Sequence, residues 1–330
     1  MSLIFTLMSL PMRFCLNDSR YLHFKEVTLE SEIKTCPSCP EGKNHIIKYG
    51  FFRRKTGHKA KIRRYHCKFC KSTFSTQTGT LTYRERKPHL TQSVMRVMME
   101  GVSQRSCARL IGCKRTTIAR KVCRLGSRAM VLLHSREPHE IANGKEKTII
   151  FDEMETFEHT KCKPISIAIA VAASTREVIS IDAAAMPASG NLAKLSRKRY
   201  GIRPDHRRIM MRTVLSDAAR LCPNVRILKS DKCTRYPNIV RSIFSNTVIH
   251  EAHKGRRGCI VGQGELKRGA RDPLFSLNHT CAMFRDRIKR LARRTWCTTK
   301  KIACLTHLLH LYAWWHNMLV KKVKRPFHMD

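Results

Sequence analysis

The segment Thr148-Ile-Ile-Phe-Asp152 is the clearest indication of the fold, because it is a short apolar run of β-branched and aromatic residues that ends on a carboxylate. Such runs, bounded by polar residues, are typical of buried strands. Three more runs of strand length follow, at residues 165–171, 177–182 and 225–231. Helical patterns occupy residues 194–200 and 210–220, between the third and the fourth strand. The sequence therefore predicts an α/β region, which we assign to residues 145–323.

Two of these predicted strands end on an aspartate, Asp152 and Asp231. The order strand, hairpin, strand, helix, strand, helix is that of a ribonuclease-H-like α/β fold, in which carboxylates from two neighbouring strand ends and one helix converge on two metal ions. Paired Mg²⁺ ions clamp the attacking and leaving oxygens of a phosphoryl displacement. A lone aspartate at a strand end is more often a turn former. Acids are scarce in this chain, so we predict that Asp152 and Asp231 are catalytic and bind magnesium.

Upstream of this region, two CxxC pairs predict a structural zinc site within a small zinc ribbon at residues 35–82. Each pair forms a tight turn that can direct two thiolates at one tetrahedral ion. Redox chemistry or chance is the alternative for a single pair, but two pairs in a basic chain favour zinc. Histidines 45, 58 and 66 are competing ligands or solvated loop residues. The predicted zinc ligands are Cys36, Cys39, Cys67 and Cys70.

A helix-turn-helix is predicted within a DNA-binding domain at residues 88–140. One helix ends at Gly101, Ser103 is the N-cap candidate of the next, and Gly112 supplies the turn before a basic third helix at residues 114–124. The first turn of such a helix reads base edges in the major groove. An ordinary helical hairpin with a solvated basic face is the alternative. The outward residues predicted to contact DNA are Lys114, Arg115, Thr116, Thr117, Arg120 and Lys121.

The charge of the chain points to a polyanionic partner. Lys and Arg number 65 against 24 Asp and Glu, a net charge of +41 in 330 residues. Self-repulsion of this size destabilises a compact state unless a polyanion such as nucleic acid neutralises it. A ribosomal or chromatin-like binder without chemistry would show the same excess. The 15 cysteines, an odd number, argue against a secreted disulfide framework. We expect a soluble protein in a reducing compartment, with residues 1–34 unassigned and no membrane span.

Taken together, residues 36–317 resemble the transposases of the insertion sequence one family and related bacterial DDE-type transposases. The resemblance lies in the cysteine pairs followed by GVSQRSCARLIGCKRTTIARK, in Phe151-Asp152-Glu153, in the segment from Ser230 to Tyr236, and in the basic block that begins at Asn278. It implies a multidomain chain that binds the terminal inverted repeats of a mobile element and cuts and joins DNA. It also implies double-stranded DNA as partner, a homo-oligomer by analogy, and a bacterial cytoplasmic, nucleoid-associated location.

One position departs from the family pattern. The resemblance puts the third catalytic acid two residues before Asn278, where this chain has Ser276. Asp272 lies one helical turn earlier and is our predicted third acid, although an Asp-Pro pair is also a good helix start. The alternatives are Glu265, in a glycine-rich loop, and Asn278 itself, whose amide oxygen can ligate magnesium.

The basic block also predicts a phosphate-binding surface. We expect a helix from about Pro273 to Arg294, with Phe284, Ile288 and Leu291 facing inward. A solvated charged face is the alternative. Two other functions stay open: a zinc-ribbon regulator that binds DNA without chemistry, and a nuclease on the same fold. The residues of this block predicted to contact DNA phosphates are Arg285, Arg287, Lys289, Arg290 and Arg293.

Overall fold

The structure is a computed structural model that describes residues 36–39, 45–53, 61–78, 83–254, 272–292 and 296–322. The chain divides into two compact units, residues 1–89 and residues 90–330. The first unit contains the region predicted as a zinc ribbon. The second contains both the helices predicted to bind DNA and the predicted α/β region, so these two parts share one compact unit. Residues 1–34 lie outside the described residues.

The first unit contains a three-stranded antiparallel sheet in the order β1-β2-β3. Its strands are β1 (Ile46–Arg53), β2 (Lys61–Cys67) and β3 (Thr73–Ser75). The pairing of β1 with β2 is irregular at Gly50, whose φ of +70° is a conformation that glycine adopts without strain. Cys36, Cys67 and Phe74 form its small buried core. A core of this size provides little hydrophobic stabilisation.

The second unit begins with the three helices that the sequence predicted. They are α1 (Thr91–Met99), α2 (Gln104–Ile111) and α3 (Arg115–His134). The hydroxyl of Ser103 caps α2 by accepting the backbone N–H of Ser106 at 3.1 Å. Gly112 ends α2 with a φ of +68°, which allows the sharp turn into α3. Both turn predictions are confirmed.

Helix α3 is longer than predicted, because its second half is buried against α8 (Ile302–Lys322). The sequence prediction ended the helix at Arg124, whereas α3 continues for ten residues to His134. Leu125, Ala129 and Leu133 are buried in this part. At Gly126 the two helices cross so closely that a Cβ atom would lie 2.1 Å from the backbone oxygen of His307. The basic helix is therefore anchored to the rest of the unit.

A five-stranded mixed sheet forms the centre of the second unit, in the order β6-β5-β4-β7-β8. The pairs β4–β5 and β5–β6 are antiparallel, whereas β4–β7 and β7–β8 are parallel. The sequence predicted the first four strands and missed the edge strand β8, which is partly exposed and lacks an apolar run. The strands are β4 (Thr148–Phe157), β5 (Pro164–Ala172), β6 (Val178–Ala185), β7 (Ile227–Asp231) and β8 (Ile249–His253).

Helices cover both faces of this sheet. On one face, Phe151 joins a core formed with α5 (Arg207–Leu221) and α6 (Tyr236–Arg241), which follow α4 (Leu192–Tyr200). Ile150 and Ile169 lie outside that core and are also buried. Since side chains of a strand alternate between its faces, they are covered from the other side. There α7 (Phe275–Arg287) contacts β4 and β5, and α8 contacts β6.

The predicted basic helix is shorter than expected. Helix α7 ends at Arg287, because Ile288 leaves the helical region with φ −107° and ψ 97° and is buried. Phe284 and Leu291 are buried as predicted, whereas Lys289 and Arg290 lie in a turn after the helix. Among the described residues, no helix has the length and apolar character needed to cross a membrane.

Candidate active site and metal centre

The sheet brings the two predicted catalytic aspartates to the same level on neighbouring strands. In the parallel ladder, Ile149 pairs with Leu228 and Ile150 pairs with Lys229. The ladder ends at this second pair, and two residues further along each strand Asp152 and Asp231 lie close enough for the charge of Asp231 to raise the pKa of Asp152. The prediction that β4 ends at Asp152 was wrong, because β4 continues to Phe157 in its pairing with β5. The pairing of β4 with β7 nevertheless ends just before Asp152.

Asp152 is a partly buried carboxylate with fixed hydrogen bonds. Its Oδ1 accepts the hydroxyl of Tyr236 at 3.0 Å and the backbone N–H of Glu153 at 2.7 Å. Burial raises the pKa of Asp152 from 3.8 to about 6, and the charge of Asp231 adds to the rise. The two hydrogen bonds oppose it. A raised carboxylate pKa beside a second acid is a frequent property of functional sites.

Asp231 lies on the partly exposed side of the same site. Its Oδ1 accepts the backbone N–H of Cys233 at 3.2 Å, which fixes the carboxylate against the turn after β7. Burial raises the pKa of Asp231, and the charge of Glu153 contributes in the same direction. On the edge strand β8, His253 is its backbone neighbour in register. Two acids with raised pKa values thus lie side by side, and a bound divalent cation would offset the repulsion between their negative charges.

Three residues that support the aspartates were not predicted as site residues. Glu153 is nearly buried and accepts the hydroxyl of Ser166 at 2.6 Å. Arg235 forms an ion pair with Glu153 at 3.1 Å. Tyr236 is buried and packs its ring on Phe151 at 5.1 Å. Arg235 and Tyr236 belong to the segment that follows Asp231, so the family resemblance was the available signal.

Asp272, the predicted third acid, has the contacts of a helix-capping residue. Its Oδ1 accepts the backbone N–H of Leu274 at 2.9 Å, and its Oδ2 accepts the side-chain amide of Asn278 at 2.8 Å. The two candidates therefore bind each other. Glu265 lies outside the described residues. As a metal ligand, Asp272 stays a prediction that these contacts do not support.

The position of α7 explains why its first turn is not near Asp152. The hydroxyl of Ser276 donates to the backbone oxygen of Ala173, just beyond β5 and beside the first residue of β4. Asp152 lies four residues further along β4, roughly 13 Å at the usual rise of a strand. Burial raises the pKa of Cys281 to about 12, and the charge of Asp152 adds to it, so a later turn of α7 faces the aspartate. That turn carries no acid.

The four predicted zinc ligands lie together. Their sulfur atoms all lie within 4.8 Å of one another, with Cys36 and Cys70 at 3.6 Å and Cys39 and Cys67 at 3.8 Å. Zinc–sulfur bonds of about 2.3 Å in a tetrahedron require sulfur atoms about 3.8 Å apart, so the cluster fits this ion. The hydroxyl of Ser72 lowers the pKa of Cys36 to about 6, which favours the thiolate that binds metal. These four cysteines could hold a metal such as zinc.

Among the described residues, this cluster is the one group of three or more Cys, His, Asp or Glu side chains whose ligand atoms come within 4.8 Å of one another. Asp152 and Asp231 therefore have no third such side chain at that distance within the described part of the chain. Magnesium retains several waters and needs only one or two protein carboxylates, so the two aspartates fit it by their chemistry.

The predicted DNA-contacting residues of α3 divide into exposed and buried ones. Lys114, Arg115, Thr116 and Arg120 are exposed, and Thr117 is half-buried. The prediction that Lys121 faces outward was wrong: it is buried, and its Nζ donates to the hydroxyl of Thr91 at 2.6 Å. The available basic surface of α3 therefore comprises its first turn and Arg120, without Lys121.

The second predicted basic surface adjoins the first. Burial lowers the pKa of Arg290, and the nearby charge of Arg115 lowers it further, which relates the turn after α7 to the start of α3. Arg287 is partly neutralised by ion pairs with Glu100 and, at 3.2 Å, with Asp286. Arg285 is half-buried and Lys289 is exposed. Arg293 lies outside the described residues.

No protein-family model matches the chain, and no curated protein shows significant similarity to its sequence. The resemblance to the insertion sequence one transposases therefore depends on the quoted motifs and stays a prediction.

Proposed function

We propose that this protein is a DNA transposase that cleaves and joins DNA strands with carboxylate-bound magnesium. The observation that carries the proposal is the parallel pairing of β4 with β7, two residues beyond which Asp152 and Asp231 are close enough for the charge of Asp231 to raise the pKa of Asp152. Two-metal phosphoryl transfer between DNA strands uses neighbouring acids of this kind, because they hold hard cations near the scissile phosphate.

The topology of the sheet supports the proposal. Three antiparallel strands followed by two parallel ones, in the order β6-β5-β4-β7-β8, is the arrangement expected of a ribonuclease-H-like fold. In that fold the central strand carries the first catalytic acid and its parallel neighbour carries the second. Asp152 on β4 and Asp231 on β7 occupy these two positions.

The chain's own residues have distinct roles in the proposed reaction. Asp152 and Asp231 would hold Mg²⁺, which supplies stabilisation of the charge that develops on the phosphate oxygens. The hydroxyl of Tyr236 fixes the rotamer of Asp152. Arg235 balances the charge of Glu153, so a third carboxylate beside the site does not repel the DNA. The exposed first turn of α3 would contact element ends, and zinc would hold the ribbon.

A DNA-binding regulator without catalysis is the second candidate. One observation favours it: among the described residues no third Cys, His, Asp or Glu side chain forms with Asp152 and Asp231 a group whose ligand atoms all lie within 4.8 Å of one another, and Asp272 is engaged in hydrogen bonds at the start of α7. Such a regulator would use the same ribbon and the same first turn of α3. The two functions therefore differ in chemistry and not in binding.

The test is Mg²⁺-dependent cleavage and strand transfer on DNA that flanks the protein's own gene. The wild type should nick and join this DNA, and Asp152→Asn or Asp231→Asn should lower both rates by at least about a hundredfold, which is typical for loss of a group that stabilises transition-state charge. The matched control is Asp205→Asn, because Asp205 is exposed and pairs with Arg207. Binding without cleavage in the wild type would favour the regulator, and cleavage without joining would favour a nuclease.

A further inference from the structure

The β1–β2 hairpin of the first unit is unusually exposed for a strand pair. Every residue of β1 from Ile47 to Arg53 is exposed, and three of them are aromatic: Tyr49, Phe51 and Phe52. The exposed fractions are 51% for Tyr49, 42% for Phe51 and 39% for Phe52. A group of exposed aromatic side chains marks an interaction surface more often than a solvated one.

Two of these rings, those of Tyr49 and Phe51, are accompanied by cations from β2. Arg63 and Lys61 lie 3.7 and 4.5 Å from the ring centre of Phe51. Arg64 lies 5.3 Å from the ring centre of Tyr49. Arg63 and Arg64 are neighbours on β2 and point to opposite faces, so the ring of Phe51 with Arg63 and the ring of Tyr49 with Arg64 lie on opposite faces of the hairpin. The irregular pairing at Gly50, between the two aromatic residues, allows this arrangement.

The charge of this segment selects the class of partner. Residues 45–78 contain ten Lys and Arg and no Asp or Glu. A protein partner would cover the apolar rings but would need a dense acidic surface beside them. A nucleic acid offers both features, because its phosphates match the cations and its bases have flat faces that stack on aromatic rings and guanidinium groups.

We propose that the β1–β2 hairpin binds unpaired nucleic-acid bases by stacking on Tyr49 and Phe51, with Lys61, Arg63 and Arg64 holding the adjacent phosphates. Duplex DNA keeps its bases stacked within the helix and offers no face to these rings. The hairpin therefore prefers single-stranded DNA, such as an opened or frayed end. This inference does not rest on the catalytic role of the aspartates.

The experiment measures binding of the full-length protein to two fluorescent oligomers of equal length and charge. One is oligothymidylate, and the other is an abasic deoxyribose-phosphate chain, which keeps the phosphates and removes the stacking faces. The wild type should bind oligothymidylate more tightly. Tyr49→Ala and Phe51→Ala should each weaken that binding by about fivefold or more and should leave binding of the abasic chain within about twofold.

The control variant is Phe69→Ala, which removes another exposed ring of the same unit, 56% exposed and outside β1 and β2. The zinc content of each variant reports whether the unit still folds. Phe69→Ala should change neither affinity. Equal affinity of the wild type for the two oligomers would overturn the proposal, and so would an equal loss of both affinities in Phe51→Ala or a loss in Phe69→Ala as large as in Phe51→Ala.

Discussion

Replacing Asp152 by Asn should make the metal-free protein more stable at neutral pH. Burial and the charge of Asp231 raise the pKa of Asp152 from 3.8 to about 6. A carboxylate whose pKa is raised on folding contributes stability that is present below pH 3.8 and is lost as the pH rises through 6. One pH unit corresponds to about 1.4 kcal/mol, so the ionised group lowers the free energy of unfolding by up to about 3 kcal/mol.

Asparagine removes this cost because it is neutral and of the same shape. Its amide oxygen can still accept the hydroxyl of Tyr236 and the N–H of Glu153, which both bond to Oδ1 of Asp152. We expect the free energy of unfolding at pH 8 to rise by about 1–3 kcal/mol, while at pH 3.5 the two proteins should be equally stable. An acid whose charge destabilises the fold is typical of a functional site.

Urea unfolding at the two pH values, with a chelator present, measures this difference. Asp205→Asn is the control with the opposite sign, because the hydrogen bond from Arg207 lowers the pKa of Asp205 and its charge stabilises the fold above that pKa. Adding millimolar Mg²⁺ should stabilise the wild type and leave Asp152→Asn unchanged. If Asp152→Asn is less stable than the wild type at pH 8, the electrostatic account of this site is wrong.

Three further predictions concern the other parts of the protein. Gly126→Ala should lower the free energy of unfolding by about 1–3 kcal/mol, because its Cβ would lie 2.1 Å from a backbone oxygen of α8. Ser127→Ala changes an exposed neighbouring residue and should not lower it. Equal urea midpoints would contradict the crossing of α3 and α8. Metal analysis should find zinc in the wild type, and Cys67→Ser should lose it, because all four sulfur atoms share one ion; an unchanged zinc content would refute the site. Replacing Lys114 and Arg115 by Ala should weaken binding to element ends about tenfold or more. The slope of the logarithm of the binding constant against the logarithm of the salt concentration should become shallower by about one to two. Unchanged footprints would argue against contacts between α3 and DNA bases.

Much of the fold was predictable because its signals are local. The strands β4 to β7 are apolar runs with polar ends, and α2 begins at a capping hydroxyl at position 103 and ends in a turn with a glycine at position 112. The cysteine spacing predicted a cluster whose members the sheet of the first unit brings together. Each strand, each turn and each cysteine pair is determined by a few consecutive residues.

The errors of prediction arise from contacts between distant segments. The pattern of α3 assigned Lys121 to the polar face, but Thr91 of α1 covers it. The edge strand β8 has no apolar run because its residues are only partly buried, so its pairing with β7 could not be read from sequence. The distance of Asp272 from Asp152 depends on where α7 crosses the sheet, which is fixed by contacts such as that of Ser276 with Ala173 and which residue spacing does not reveal.

The most direct test of the central claim is a crystal structure of the protein with Mn²⁺, read by its anomalous signal. We predict a peak shared by the carboxylates of Asp152 and Asp231, which disappears when Asp231 is replaced by Asn. A map without density between these two side chains, or with manganese bound at a site that touches neither, would contradict the claim that the register of β4 and β7 builds a catalytic metal site.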